Sequence, residues 1–254
     1  MNTFKTCKVI CFTPQTYNSY FGWWKSLLNT SNTFLIVDNS SNAKIDYSGF
    51  IYNEDDIRKN FNFKETVNRN HYWNAQGNKN IIWFYAYLRM LNYYINNNKY
   101  DYYWFFDDDV YCNNWEHFLN SFEDDDSDFL SYFLFKNLNV ESYPEIPKVD
   151  NKMFSGNLWF QRFPSHGDKL EPNTNDLFGS FFPIVRFSKR ALEKLKELTL
   201  NDFHGYGEGF VPTTLAKYGY KINTIFNNEN KSKYFDTNKI NITHKNIKIN
   251  WEWL

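Results

Sequence analysis

The sequence predicts an α/β domain with a mainly parallel sheet flanked by helices. Three observations lead to this fold class. Short apolar runs alternate with amphipathic segments over the first half of the chain, as in folds that connect parallel strands through helices. Polar and acidic residues follow directly after several of these runs. The length of 254 residues suits one hydrophobic core, so we expect a single domain spanning the whole chain.

Runs rich in aromatic and β-branched residues predict the strands. They are Lys8–Phe12, Thr33–Val37, a weaker one at Gly49–Tyr52, Tyr102–Phe106, Phe129–Phe135 and Phe181–Phe187. Ligands of open α/β sheets bind beyond the carboxyl ends of the strands. Asp38 and Asp107–Asp109 stand at such ends, which makes them candidate site residues.

Helical spacing of apolar residues predicts the helices between these strands. The first two are Tyr17–Leu28 and Ile81–Ile95. A capping box of Asn113 and Glu116 predicts a helix that ends near Phe122. Ser188 is a good N-cap for the next helix, and a last one is expected to begin near Pro212 and to end at Gly219.

Composition and missing motifs exclude several classes of protein. A net charge of -1 gives no electrostatic reason to expect nucleic-acid binding. The three cysteines have no zinc-site or redox spacing, no apolar stretch reaches a membrane-spanning length, and Met1–Lys5 lacks the features of a signal peptide. We therefore expect a cytoplasmic protein with at most a peripheral association with the inner face of the membrane. Dinucleotide and P-loop fingerprints are also missing from the sequence.

The strongest local signal is Asp107–Asp109, directly after the strand Tyr102–Phe106. Three adjacent carboxylates repel one another, and Mg²⁺ or Mn²⁺ takes one or two carboxylates together with substrate phosphates. Alternation along an extended chain predicts that Asp107 and Asp109 face one site while Asp108 points elsewhere. A solvated turn at the strand end is the rival interpretation. The more acidic run Glu123–Asp128 follows a helix, and we expect it to be a solvated loop.

Two further residues are candidates for chemistry. Glu208 lies between Gly207 and Gly209 ahead of a predicted helix, where the helix dipole favours an ionised carboxylate that could act as a base. An ordinary acidic helix start is the alternative. His244 near the C-terminal end is a candidate third metal ligand, and a structural or exposed histidine is the alternative.

Taken in chain order, these motifs resemble the nucleotide-sugar-dependent glycosyltransferases of the GT-A fold, with a pattern similar to family 2. The match runs from Lys8 to about His244. The segments that carry it are Phe12–Asn18, Leu35–Ser41, the Asp-x-Asp-like Phe106–Val110, Gly207–Glu208 with the helix after it, and His244.

The resemblance implies a role for each of these segments. Thr13, Asp38, Asp107 and Asp108 would bind the nucleotide-sugar, Asp109 and His244 would hold Mn²⁺ or Mg²⁺, and Glu208 would be the catalytic base. About residues 1–112 would form the nucleotide-binding half, and about 113–254 the acceptor side. The implied reaction is inverting transfer of one sugar, with UDP-sugar as the expected donor. Its acceptor would be a hydroxyl of a glycan or lipid-linked saccharide, in bacterial surface polysaccharide synthesis.

The match has departures that keep alternatives open. Many family-2 members have Glu-Asp where this chain has Glu208-Gly209, and the Gln-x-x-Arg-Trp motif of processive synthases is missing. A retaining GT-A enzyme, a metal-dependent nucleotidyltransferase or phosphohydrolase using the same aspartates, and an inactive sugar-binding protein are the alternatives. A nucleotidyltransferase would be expected to carry a glycine-rich basic loop after the first strand, and Thr13–Tyr17 has none.

Overall fold

The fold is organised around a seven-stranded sheet with a core on each face. The computed structural model describes residues 5–13, 16–17, 21–39, 44, 46–61, 86–136, 178–201, 203, 207–225, 242–244 and 247–248. Its strands are β1 (Thr6–Phe12), β2 (Thr33–Asp38), β3 (Phe50–Tyr52), β4 (Tyr102–Asp107), β6 (Phe129–Lys136), β7 (Phe178–Ser188) and β8 (Ile222–Thr224), with β5 (Val110–Cys112) lying in a second, smaller sheet.

The strand order in the large sheet is β3-β2-β1-β4-β7-β6-β8. All neighbours pair in parallel except β7, which is antiparallel to both β4 and β6. The expected α/β fold with a mostly parallel sheet is therefore confirmed, and the predicted strands agree with the observed ones to within a few residues.

The second sheet joins the middle of the chain to its C-terminal part. It has three antiparallel strands in the order β10-β9-β5, where β9 is Ile242–His244 and β10 is Ile247–Lys248. In this sheet Val110 lies opposite His244.

Alternating side chains of β4 supply both cores. Tyr103 and Phe105 belong to one apolar cluster, and Trp104 and Phe106 belong to the other. This alternation is the period of two expected for a strand buried on both faces. The sheet is thus the central one of three layers.

Helices cover both faces. The bounds are α1 (Lys25–Leu28), α2 (Glu54–Phe61), α3 (Ala86–Asn96), α4 (Trp115–Asn120), α5 (Lys189–Leu200) and α6 (Gly207–Lys217). Buried residues of α2, α3, α5 and α6 join the first cluster, and those of α1 and α4 join the second. Among the residues that the structure describes, none of these helices has the length and apolar composition needed to cross a membrane.

Several helices differ in their start or regularity from the sequence-based predictions. Of the expected helix Tyr17–Leu28, Tyr17 is helical and residues 18–20 lie outside the described residues. The rest is a 3-10 helix at Phe21–Trp24 followed by the short α1, since Gly22 weakens a regular helix. Asn114, not Asn113, caps α4, because its side-chain oxygen accepts the backbone N–H of His117 at 3.0 Å. The described part of helix α3 begins at Ala86. Residues 81–85 of the predicted helix lie outside the described residues.

Helix α6 begins at Gly207, five residues before Pro212, where the start was expected. A proline inside a helix leaves the carbonyl four residues earlier without its N–H partner. That carbonyl belongs to Glu208, and the Ser180 hydroxyl of β7 donates to it at 2.9 Å. The sheet therefore supplies the hydrogen bond that Pro212 removes, and α6 is fixed to β7 at this point.

The acidic run Glu123–Asp128 is only partly solvated, contrary to expectation. Asp128 is buried, accepts the Ser188 hydroxyl at 2.7 Å and pairs with Arg190. Asp125 pairs with the buried Arg186 of β7 at 2.6 Å. Through the arginine pairs of Asp125 and Asp128, this run links the start of β6 to β7 and to α5. Glu123, Asp124 and Asp126 are exposed.

Candidate functional site

The fold places the predicted donor-side residues where the strand order reverses. From β1 the chain adds β2 and then β3 on one side, and later returns to place β4 on the other side of β1. In open α/β sheets this crevice beyond the carboxyl ends is where ligands bind. Thr13 follows β1, Asp107 ends β4, and Asp38 ends β2. The structure therefore brings these three residues to one edge of three adjacent strands.

Asp107 is engaged by a residue that sequence reasoning missed. Arg89 of α3 donates from Nη2 to Asp107 Oδ1, and both side chains are partly buried. Burial works against the guanidinium charge, but the Asp107 carboxylate outweighs it together with smaller contributions, so the pKa of Arg89 lies above its usual value. No local motif in the sequence marks Arg89.

Asp108 holds the loop that follows β1. Its carboxylate accepts the Thr16 hydroxyl and, at 3.4 Å, the backbone N–H of Thr13. The Trp24 indole donates to the Asp108 carbonyl at 2.9 Å. Burial raises the pKa of Asp108 from 3.8 to about 6, although the hydrogen bond from Thr16 opposes the shift. Asp107 and Asp108 thus have different partners, as the predicted divergence of their side chains requires.

Asp109 continues the turn towards β5. It is 6% exposed, and the residue after it, Val110, pairs with His244. Strand pairing therefore brings the backbone of His244 beside this turn from a distant part of the chain. The side chain of His244 lies outside the description. Because Asp108 and Asp109 form a turn, strand alternation does not govern the direction of Asp109.

Charged residues at the ends of β2 and β4, in the turn after β4 and on α3 act on Cys11, which pairs with Asp107 in the register of β1 and β4. Burial raises the pKa of the Cys11 thiol to about 12. Arg89 opposes this shift, while Asp107, Asp108 and Asp38 add to it. Cys11, near the end of β1, thus lies within the electrostatic influence of all four charged groups.

Glu208 lies in the first turn of α6, not in a loop ahead of it. Its Oε1 accepts the backbone N–H of Phe182 at 3.2 Å. Phe106 pairs with Ile184, so Phe182 is two residues, or about 7 Å, further along β7 towards the carboxyl end of β4. Glu208 is therefore anchored at the edge of the sheet that carries the aspartates, one strand away.

An aromatic pair flanks the acidic turn. Trp23 and Tyr111 meet edge to face, with ring centroids 5.8 Å apart, and Tyr111 is 36% exposed. Trp24 stacks on Trp115 at 4.8 Å and is hydrogen-bonded to Asp108, so the segment carrying Trp23 is held against the turn.

The donor atoms here suit a hard divalent cation. Asp107 and Asp109 offer carboxylate oxygens, and Mg²⁺ needs only one or two of these when phosphate oxygens complete its shell. Within the described side chains, no group of three or more histidine, cysteine or acidic residues is arranged to hold a metal ion.

Comparisons with known proteins give no family. No family model matches the chain, and no curated protein matches it. Among solved structures, the chain is similar to the inositol-1-phosphate CTP transferase from T. maritima, at 10% identity and a TM-score of 0.41. The match covers 92% of this chain and 98% of that one. A likeness at this level supports no conclusion about activity.

Proposed function

We propose that this chain is a metal-dependent glycosyltransferase of the GT-A fold. It would move one sugar from a UDP-sugar to a hydroxyl of a glycan or lipid-linked saccharide in bacterial surface polysaccharide synthesis. The observation that carries the proposal is the acidic turn Asp107–Asp109 at the point where the strand order reverses, beside Thr13 and Asp38. The mostly parallel sheet is of the kind that the sequence resemblance implies.

On the donor side, each residue has a separate task. Asp38 faces the nucleotide base, and Asp107 accepts hydroxyls of the donor. Thr13 contacts the nucleotide-sugar, and Asp108 holds Thr13 in place through the Thr13 backbone N–H and the Thr16 hydroxyl. Asp109 and His244 would hold Mn²⁺ or Mg²⁺, and the bound ion would supply Lewis-acid stabilisation of the charge on the departing diphosphate.

On the acceptor side, Glu208 takes the proton. The acceptor oxygen forms a bond to the anomeric carbon, the bond from that carbon to the diphosphate oxygen breaks, and the hydroxyl proton passes to the Glu208 carboxylate. Attack from the face opposite the diphosphate inverts the anomeric centre. The backbone N–H of Phe182 orients the Glu208 carboxylate by donating to its Oε1.

The aromatic pair favours a saccharide acceptor over a hydrolytic role. Tyr111 is two residues from Asp109, so their Cα atoms are at most about 7 Å apart. The partly exposed indole of Trp23 and the exposed phenol of Tyr111 offer an apolar face with a polar edge, which suits the mixed surface of a sugar ring. Trp23 and Tyr111 would hold the acceptor sugar beside the reacting centre.

A donor screen tests the proposal. The protein is incubated with a panel of UDP-sugars and Mn²⁺, with and without saccharide acceptors, and UDP release and glycoside formation are measured. Transfer or metal-dependent UDP release is the expected result. Release of pyrophosphate from a nucleoside triphosphate and a sugar phosphate would instead assign the nucleotidyltransferase alternative.

Glu208→Gln tests the base. The variant keeps the acceptor for the Phe182 N–H but accepts no proton, so turnover should fall by at least about 10²-fold while UDP affinity stays within a few-fold. Glu123→Gln, an exposed glutamate of the acidic run, is the matched control and should keep its rate. A folded Glu208→Gln variant with near-normal turnover would contradict the inverting assignment and favour the retaining one.

A further inference from the structure

The strand-end carboxylates are already partly neutralised by the chain itself. Arg89 places a guanidinium against Asp107, and the Thr16 hydroxyl and the Thr13 N–H occupy one oxygen of Asp108. A divalent cation that approached Asp107 would therefore meet a fixed positive charge within a few ångströms. The cluster is less attractive to a lone cation than three adjacent aspartates would suggest.

Arg89 cannot easily move away from this position. Its helix α3 is fixed by buried residues on either side, Leu88 and Met90. The Arg89 Nε atom is buried and makes no hydrogen bond within the described part of the chain. The ion pair between Arg89 and Asp107 is therefore costly to break, because losing Asp107 would leave the guanidinium without a compensating charge.

We infer that Arg89 withholds the strand-end carboxylates from a free divalent cation, so that the cation enters together with the nucleoside diphosphate. This inference rests on the proposed metal-dependent nucleotide site and adds the order in which its ligands bind. The diphosphate adds negative charge at a site where Arg89 cancels that of Asp107, so the combined site holds the ion more tightly than the carboxylates alone. Arg89 is thus a positioning residue that acts through Asp107.

The test measures Mn²⁺ binding by calorimetry with no turnover involved. For the wild-type protein, Mn²⁺ should bind at least about tenfold more tightly in saturating UDP than alone, and UDP should gain the same factor from Mn²⁺ by reciprocity. Equal Mn²⁺ affinity with and without UDP would overturn the inference. UDP binding that is unchanged in EDTA would contradict the proposed function itself, so the two failures are distinguishable.

Substitution of Arg89 isolates its contribution. Arg89→Gln should bind Mn²⁺ alone about tenfold more tightly than the wild type, the effect of one unit charge on a divalent ion from roughly 6 Å under water-like screening. Arg89→Lys, which keeps the charge, should remain near wild type. Arg58→Gln removes the same charge from a pair with Glu54 on α2 and should have no effect. A folded Arg89→Gln variant with wild-type Mn²⁺ affinity would overturn the role of Arg89.

Discussion

Replacing Asp108 by asparagine should stabilise the protein at neutral pH, because the carboxylate is buried at a cost. The asparagine side chain would retain an oxygen to accept the Thr16 hydroxyl and the Thr13 N–H. Folding raises the pKa of this carboxyl from 3.8 to about 6, so the folded state holds the proton more firmly than the unfolded state. Below both pKa values the Asp108 carboxyl is protonated in both states and does not lower the free energy of unfolding. As the pH rises from 3.8 to about 6, its ionisation lowers the free energy of unfolding progressively.

The shift of roughly two pKa units corresponds to about 3 kcal/mol above pH 6, at about 1.4 kcal/mol per unit. About half of that cost is already present near pH 5, so the gain from Asp108→Asn should grow by about 1.4 kcal/mol between about pH 5 and pH 8. Urea unfolding of both proteins in EDTA at the two pH values measures this difference. Asp124→Asn, at an exposed position, is the control and should give no pH-dependent gain.

The reasoning about Asp108 would be refuted by an Asp108→Asn variant that is destabilised equally at both pH values. That result would mean that the ionised carboxylate contributes more through its hydrogen bonds to the β1 loop than it loses through burial.

Two further stability predictions follow from buried charge and backbone conformation. Asp125→Ala leaves the 3% exposed Arg186 side chain without its carboxylate and should cost about 3 kcal/mol in urea unfolding, whereas Asp124→Ala should stay within about 0.5 kcal/mol of wild type; equal effects would mean that the Arg186 pair contributes nothing. Gly219→Ala places a side chain at φ +76° and should cost about 1 kcal/mol, while Gly22→Ala, which has the same open space but no positive φ, should not; a neutral Gly219→Ala would show that this turn can relax.

The sequence predicted the layers of the fold because the strands carry local signals. Runs such as Tyr102–Phe106 are apolar on both faces, and that pattern requires cover on both sides of a sheet. The same local reasoning placed Asp38 and Asp107 at strand ends, and the strand order then brought them together. Ser188 was predicted as an N-cap, and its hydroxyl accepts the Ala191 N–H at 3.2 Å.

What the sequence could not show depends on contacts between distant residues. Arg89 and Asp107 are separated by 18 positions, and only the packing of α3 on the sheet brings them together. The ion pair between Asp125 and Arg186 joins residues that are 61 positions apart. Because of this long-range contact, the acidic run that was predicted to be solvated is partly buried. Helix α6 could start before Pro212 because Ser180, from another strand, supplies the missing hydrogen bond.

The role of Asp109 and His244 as metal ligands stays a prediction. The pairing of Val110 with His244 brings the backbone of the two segments together. Strand pairing between such distant segments is likewise a contact that no local motif in the sequence could reveal.

The most direct test of the central claim is UDP binding by titration calorimetry, with Mg²⁺ and with EDTA, in the wild type and in two single-carboxylate variants. Asp109→Asn removes one carboxylate from the turn after β4, and Asp124→Asn removes one from the exposed part of the other acidic run. We predict metal-dependent UDP binding in the wild type and in Asp124→Asn, and its loss in Asp109→Asn. Unaltered metal-dependent binding in Asp109→Asn, or equal UDP affinity of the wild type with Mg²⁺ and with EDTA, would contradict the assignment of the nucleotide site to the end of β4.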